Sequence, residues 1–140
     1  MSEKTILGID FGLRRIGLAK SDPTGLIASP LKTITYKSIK KAVAEIVGDI
    51  ERLGIEAVAV GYPVAEDGGD RGERCRMVDD FIARLEKDYS GPIYRVDERY
   101  SSVEAEEIIH RHGKRVGRDK ERIDRMAAAI ILQRYLDDRK

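Results

Sequence analysis

Three acidic positions in this 140-residue chain stand where a carboxylate could meet a ligand. Asp10 closes the short apolar run from Thr5 and lies between Gly8 and Gly12, whose missing side chains let a phosphate or metal ion approach the backbone. The alternative is an aspartate that merely opens a turn. Asp97, Glu98 and Arg99 follow a strand-like segment at its carboxyl end, where open α/β sheets place their sites, although an ordinary charged strand-to-helix turn reads the same way. Asp124 is the most informative. Ala127, Ala128 and Ile131 follow it at helical spacing, so it shares an apolar stripe and needs a cation, hydrogen-bond donors or an arginine partner to offset its desolvation.

Carboxylates drawn from distant segments make an all-oxygen site, the donor set that suits Mg²⁺ or Mn²⁺. Phosphodiester hydrolysis is the natural use of such a site, since two bound ions can activate water and stabilise the leaving oxygen without a covalent protein intermediate. A local basic footprint accompanies Asp124. Arg111, Lys114, Arg115, Arg118, Lys120, Arg122 and Arg125 outnumber Asp119, Glu121 and Asp124, and Gly113 and Gly117 loosen the segment enough to follow a phosphate backbone. A solvated charged loop is the plainer alternative.

The elements that must position these residues are legible in the periodicity. Thr5 to Asp10 and Ile16 to Lys20 read as a hairpin, and Leu31 to Tyr36 as a third strand. Ile39, Val43, Ile46, Ile50 and Leu53 then repeat at helical spacing, with Ser38 to cap the helix and Gly54 to end it. Ala57 to Val60 is a continuous apolar run, as in a strand buried on both faces of a parallel arrangement. Val78, Phe81, Ile82 and Leu85 mark a second helix, and Pro92 to Val96 a fifth strand. Ser101 with Glu104 has the form of a capping box opening a third helix, and a last helix runs from about Lys120 to Leu136. The order βββαβαβαα predicts an α/β fold, a five-stranded mixed sheet with helices on both faces, in one domain over 1–140.

Composition narrows the class. Charged residues are 36% of the chain and apolar ones 41%, and the formal net charge is only +1, so a nucleic-acid footprint must be local. One cysteine, Cys75, allows neither a disulfide framework nor a Cys-rich zinc site and points to a reducing compartment. The longest purely apolar run, Met126 to Leu132, is far below the roughly 20 residues that span a bilayer, so no membrane partner is expected and cytoplasm is the expected location.

Taken together, four stretches resemble the YqgF family, also called RuvX. They are GIDFGLRRIGLAKSD at Gly8 to Asp22, VAVGYP at Val58 to Pro63, VDERYSSVEAE at Val96 to Glu106, and KERIDRMAAAIILQRYL at Lys120 to Leu136. The resemblance covers nearly the whole chain. It implies a ribonuclease H-like fold and a metal-dependent nuclease, with Asp10, Glu98 and Asp124 as catalytic, metal-binding acids and Mg²⁺ or Mn²⁺ as cofactor. Asp97 is the secondary acid, orienting the loop or Arg99. Arg15 fits the arginine of the family's G-x-x-R-I-G stretch and is an expected phosphate contact, as are Arg99 and, from the basic footprint, Lys114, Arg115 and Arg118. An ion pair is the other use of Arg15. One departure concerns the end of the fourth strand, where Gly61-Tyr62-Pro63 stands where many relatives in the wider nuclease superfamily place their second acid. That acid must come from elsewhere. Tyr62 also replaces a leucine more usual in the family.

The implied substrates are the 5′ leader of precursor 16S ribosomal RNA, in ribosome biogenesis, or branched DNA such as a Holliday junction. Sequence does not separate them, because the metal ligands and phosphate contacts serve either. Ribosome association stands open, as does a homodimer, which paired cuts at a junction would require. A non-catalytic nucleic-acid-binding assembly factor is a further reading. A two-lobed ATPase of actin-like type, suggested by D-x-G and a hairpin, is disfavoured by length.

Overall fold

The apolar run beginning at Thr5 forms the centre of a five-stranded sheet. The computed structural model describes residues 5–63, 71–111 and 120–139. In chain order the elements are β1 (Thr5–Phe11), β2 (Arg15–Ser21), β3 (Ala28–Thr35), α1 (Ile39–Leu53), β4 (Ile55–Tyr62), α2 (Arg71–Glu86), β5 (Ile93–Asp97), α3 (Ser101–Arg111) and α4 (Lys120–Asp138). The spatial order is β3-β2-β1-β4-β5. The first three strands pair antiparallel, as two hairpin connections require, whereas β4 and β5 run parallel to β1.

Alternation along the strands sorts side chains between two cores. On one face Leu7, Ile9, Val58 and Val60 pack with Val43, Ile46 and Ile50 of α1 and Phe81, Ile82 and Leu85 of α2. On the other face Ile6, Ala19, Ala57 and Ala59 meet Ala128, Ile131, Leu132 and Leu136 of α4. A third cluster, Ala105 and Ile109 with Ile123 and Ala127, packs α3 onto α4, so α4 is apolar on two sides. The caps of α1 form as anticipated: the Ser38 side chain accepts from the Lys41 N–H, and Gly54 takes a left-handed φ of 66°.

Two local expectations need correction. The third strand begins at Ala28 rather than Leu31, because pairing with β2 extends from Arg15–Thr35 to Ser21–Ala28; Pro30 is tolerated there because β3 is an edge. The Ser101–Glu104 capping box does not form. Ser101 is already the first residue of α3, and Glu104 turns its carboxylate to Arg134 of α4. The chain enters the helix through Tyr100, whose φ of 64° is unusual for a residue with a side chain.

The small residues facing α4 set how closely it can lie. A Cβ at Gly8 would stand 2.7 Å from Leu132 Cβ and 2.9 Å from the Ala128 carbonyl oxygen, and one at Gly17 would overlap the Asp124 carbonyl. Backbone therefore touches backbone at the start of α4. Gly17→Ala must push that helix end off the sheet. The expected cost is about 2 kcal/mol of stability, read from urea unfolding, with a loss of whatever activity depends on Asp124.

A candidate carboxylate site at the ends of the central strands

Asp10 belongs to the same strand face as Ile6 and Gly8, so the pleat turns it towards α4 rather than α1 and α2. Its antiparallel partner is Gly17, over which the second turn of α4 lies. Asp124, in that turn, is thereby carried to the same end of the sheet, where Arg15 Nε donates to its Oδ2. The arginine partner that a buried-stripe aspartate requires is thus Arg15, on the neighbouring strand.

Glu98 arrives from the other side. Its N–H donates to the Tyr62 carbonyl at 3.2 Å, extending the β4–β5 pairing one step, and its own carbonyl accepts from the Ser101 N–H at 3.0 Å. The side chain then lies over Gly61, where a Cβ would come within 3.0 Å of Glu98 Oε1 and 3.1 Å of Glu98 Cβ. Gly61 is one step beyond the Ile9–Val60 pair, hence beside Asp10. Glu98 thus occupies the space at the end of β4, and the glycine is what makes room for it.

The two acids of the β5–α3 turn have different surroundings. Asp97 is 43% exposed and accepts from the Arg99 N–H at 2.8 Å and from Arg99 Nη2 at 3.0 Å. Burial pushes its carboxyl up, but the hydrogen bonds and charge of Arg99 outweigh that and hold it below the usual range. Glu98 is only 14% exposed and receives Arg74 Nη2 on Oε2 at 3.1 Å. Burial raises its carboxyl, Arg74 opposes this, and Asp97 adds to it.

Asp10 forms no ion pair with an arginine among the described residues and is the most perturbed acid of the group. Burial first, then the negative charges of Glu98 and Asp124, push its carboxyl up to about 7 against a lesser opposing pull from Arg74. The three acids therefore share one electrostatic site. Among the described residues no three His, Cys, Asp or Glu side chains stand in ready metal-ligating geometry; Asp124 is turned to Arg15 and Glu98 to Arg74. The donor chemistry nonetheless fits a hard divalent cation: three carboxylates, one of them, Asp10, raised to about 7 first by burial and then by its negative neighbours.

Of the other sequence-derived positions, Arg99 is engaged with Asp97, and Lys114, Arg115 and Arg118 lie outside the described residues. Arg74 was not singled out by the sequence. Its only local signal is a cation in the opening turns of α2, where the helix dipole favours an anion.

Comparison with known proteins identifies the family and the fold. A family model, RuvX, described as Holliday junction resolvase, matches residues 4–138. The chain belongs to this family. A relative from Chloroflexus aggregans, provisionally named a pre-16S rRNA nuclease, is 40% identical over 140 residues, all of this chain and 98% of the relative. One from Synechococcus elongatus with the same provisional name is 40% identical over 134 residues, 96% of this chain and 89% of its own. Among solved structures, Thermus thermophilus RuvC in complex with a Holliday junction substrate superposes with a TM-score of 0.64 at 18% identity, covering 97% of this chain and 95% of that one. The fowlpox virus resolvase bound to Holliday junction DNA gives 0.54 at 12% identity, over 96% and 97%. These likenesses place the RuvX chain in the ribonuclease H-like fold shared with RuvC-type resolvases.

The elevated Asp10 carboxyl has a measurable consequence in metal-free protein. The unfolded chain loses this proton near 3.8 and the folded chain only near 7, so Asp10 lowers stability progressively as pH rises through that window. In EDTA, Asp10→Asn should leave the melting temperature near that of the parent at pH 4. It should raise it at pH 8 by roughly 3 °C or more.

Proposed function

We propose that this chain is a divalent-metal-dependent endonuclease that hydrolyses phosphodiester bonds and acts on the 5′ end of precursor 16S ribosomal RNA. The observation that carries this reading is that the buried Asp10 carboxyl lies within the field of both Glu98 and Asp124, in a chain whose full-length relatives are provisionally named pre-16S rRNA nucleases. Asp10, Glu98 and Asp124 would hold the metal. A bound Mg²⁺ or Mn²⁺ would supply Lewis acidity and a water nucleophile at neutral pH.

The residues of the chain divide the remaining work. Asp10 must release its proton to act as a ligand, which sets a lower pH limit on activity. Asp97 fixes Arg99 and the turn that presents Glu98, a positioning role rather than a ligand role. Arg15, bonded to Asp124, and Arg99, bonded to Asp97, would contact a phosphate of the substrate. Lys114, Arg115 and Arg118 would extend that contact along the nucleic-acid backbone. Branched DNA is the second substrate, favoured by the resolvase description of the family.

Matched precursor leader RNA and a synthetic four-way DNA junction, each offered with Mg²⁺ and with Mn²⁺, separate the readings. Cleavage of the leader should vanish in EDTA and fall by at least about 100-fold in Asp10→Asn and in Glu98→Gln. Asp97→Asn should cost about tenfold, as loss of an orienting group does. Cleavage that survives Asp10→Asn overturns the site. Preference for the junction moves the substrate to DNA, and salt-sensitive RNA binding without any cleavage replaces the enzyme by an assembly factor.

A further inference from the structure

Arg74 acts on two of the three acids. Its guanidinium is bonded to Glu98, and its charge is the cationic influence felt by Asp10. Helix stability does not explain this placement, since a cation in the opening turns of α2 opposes the helix dipole. The side chain is 67% exposed while its partner is 14% exposed, so the arginine stands at the mouth of the site with the carboxylate behind it. Arg15, by contrast, is 32% exposed on its partner Asp124.

A cavity of about 410 Å³ opens beside this pair. Arg74 and Glu98 form part of its wall, together with Phe11, Leu13 and Met77. Leu13 is one of the exposed large apolar side chains of the molecule. The cavity is therefore continuous with the carboxylate site and combines a guanidinium and an apolar wall with two carboxylates, Glu98 and Glu73. A nucleotide matches the first two, with an anionic phosphate and an apolar base face.

Charge balance gives the pair its direction of change. Among the described residues two arginines, Arg15 and Arg74, pair with two of the three carboxylates, so the balance of these five groups is negative. A divalent cation reverses that balance and repels both guanidinium groups, and the exposed Arg74 is the one with room to leave. We propose that Arg74 and the cavity it borders form a substrate phosphate site, closed while the arginine holds Glu98 and opened when a divalent cation takes Glu98 from it. This rests on the nuclease reading above. Once released, the guanidinium that donated to Glu98 through Nη2 turns its planar donor fork to the oxygens of a phosphate next to the scissile bond, and Phe11, Leu13 and Met77 receive the adjoining base.

The test uses the full chain with Arg74→Ala and Arg74→Lys, and two titrations. Mn²⁺ binding, followed by electron paramagnetic resonance at constant pH, should tighten roughly fivefold in Arg74→Ala, the effect of removing a partly exposed competitor. It should stay near the parent value in Arg74→Lys. Binding of a single-stranded oligoribonucleotide with Ca²⁺ present should weaken in Arg74→Ala, and the slope of log affinity against log salt should shrink by about one. In EDTA the two proteins should bind the RNA alike, because the parent arginine is then engaged by Glu98. Unchanged or weaker Mn²⁺ binding by Arg74→Ala overturns the proposal, as does an RNA defect that persists in EDTA, which marks a constant phosphate contact. Should the alanine variant lose its cooperative melt, Arg74→Gln is read by the same criteria. Cleavage by the parent without these binding signatures removes the proposal and leaves the nuclease reading. The signatures without cleavage do the reverse.

Discussion

The close approach of α4 to the sheet is the constraint on which the site depends. Gly8 and Gly17 place no side chain beneath the helix, and Ala19, Ala57 and Ala59 continue the low surface, so the helix backbone reaches the strand backbone near Asp124. Protein interiors are packed densely enough that even one added methyl group there has to move something. A larger residue at either glycine would lift Asp124 away from Arg15 and from the field of Asp10. The same approach leaves α4 sandwiched between sheet and α3, which is why its apolar residues encircle it instead of forming a single stripe.

Electrostatics follows from that packing. Three acids are brought to one end of the sheet, and the chain supplies arginines to two of them, Arg15 to Asp124 and Arg74 to Glu98. Asp10 carries the imbalance as an elevated carboxyl. A fold selected for stability alone would gain by replacing such an acid with an apolar residue, since burying a charge without a partner opposes folding. Retaining it is consistent with a site that awaits positive charge from outside.

The β5–α3 turn shows how a five-residue stretch separates two adjacent acids. Asp97 closes on the Arg99 backbone and guanidinium, its carbonyl accepts from Arg134 Nη1 at 2.9 Å, and Glu98 is bonded through its backbone to Tyr62 and Ser101. With both ends held, Tyr100 takes up the remaining rotation at a φ of 64°. Strained backbone of this kind persists only where surrounding contacts over-determine it. The result is that Asp97 faces its own loop while Glu98 lies over Gly61.

Much of this was legible in the amino-acid order because the signals involved are local. The spacing of Ile39, Val43, Ile46 and Ile50, the capping Ser38 and Gly54, and the unbroken run Ala57 to Val60 each report a backbone preference or a buried face that neighbouring residues suffice to express. Asp10, Glu98 and Asp124 could be named from their motifs, and Asp124 from its apolar neighbours. The capping box failed because a tertiary contact, Arg134 with Glu104, outcompeted a local one, and β3 began early because its limit is set by pairing with β2. By itself the sequence determined most of the elements, the two-faced sheet and which acids are candidates for the site. Only the tertiary structure decided that Arg15 answers Asp124, that Glu98 rather than Asp97 lies over Gly61 beside Asp10, and that Arg74 stands at the mouth. Those are distances between residues far apart in the chain, and they exist only once glycine-lined packing has brought α4 and the strand ends together.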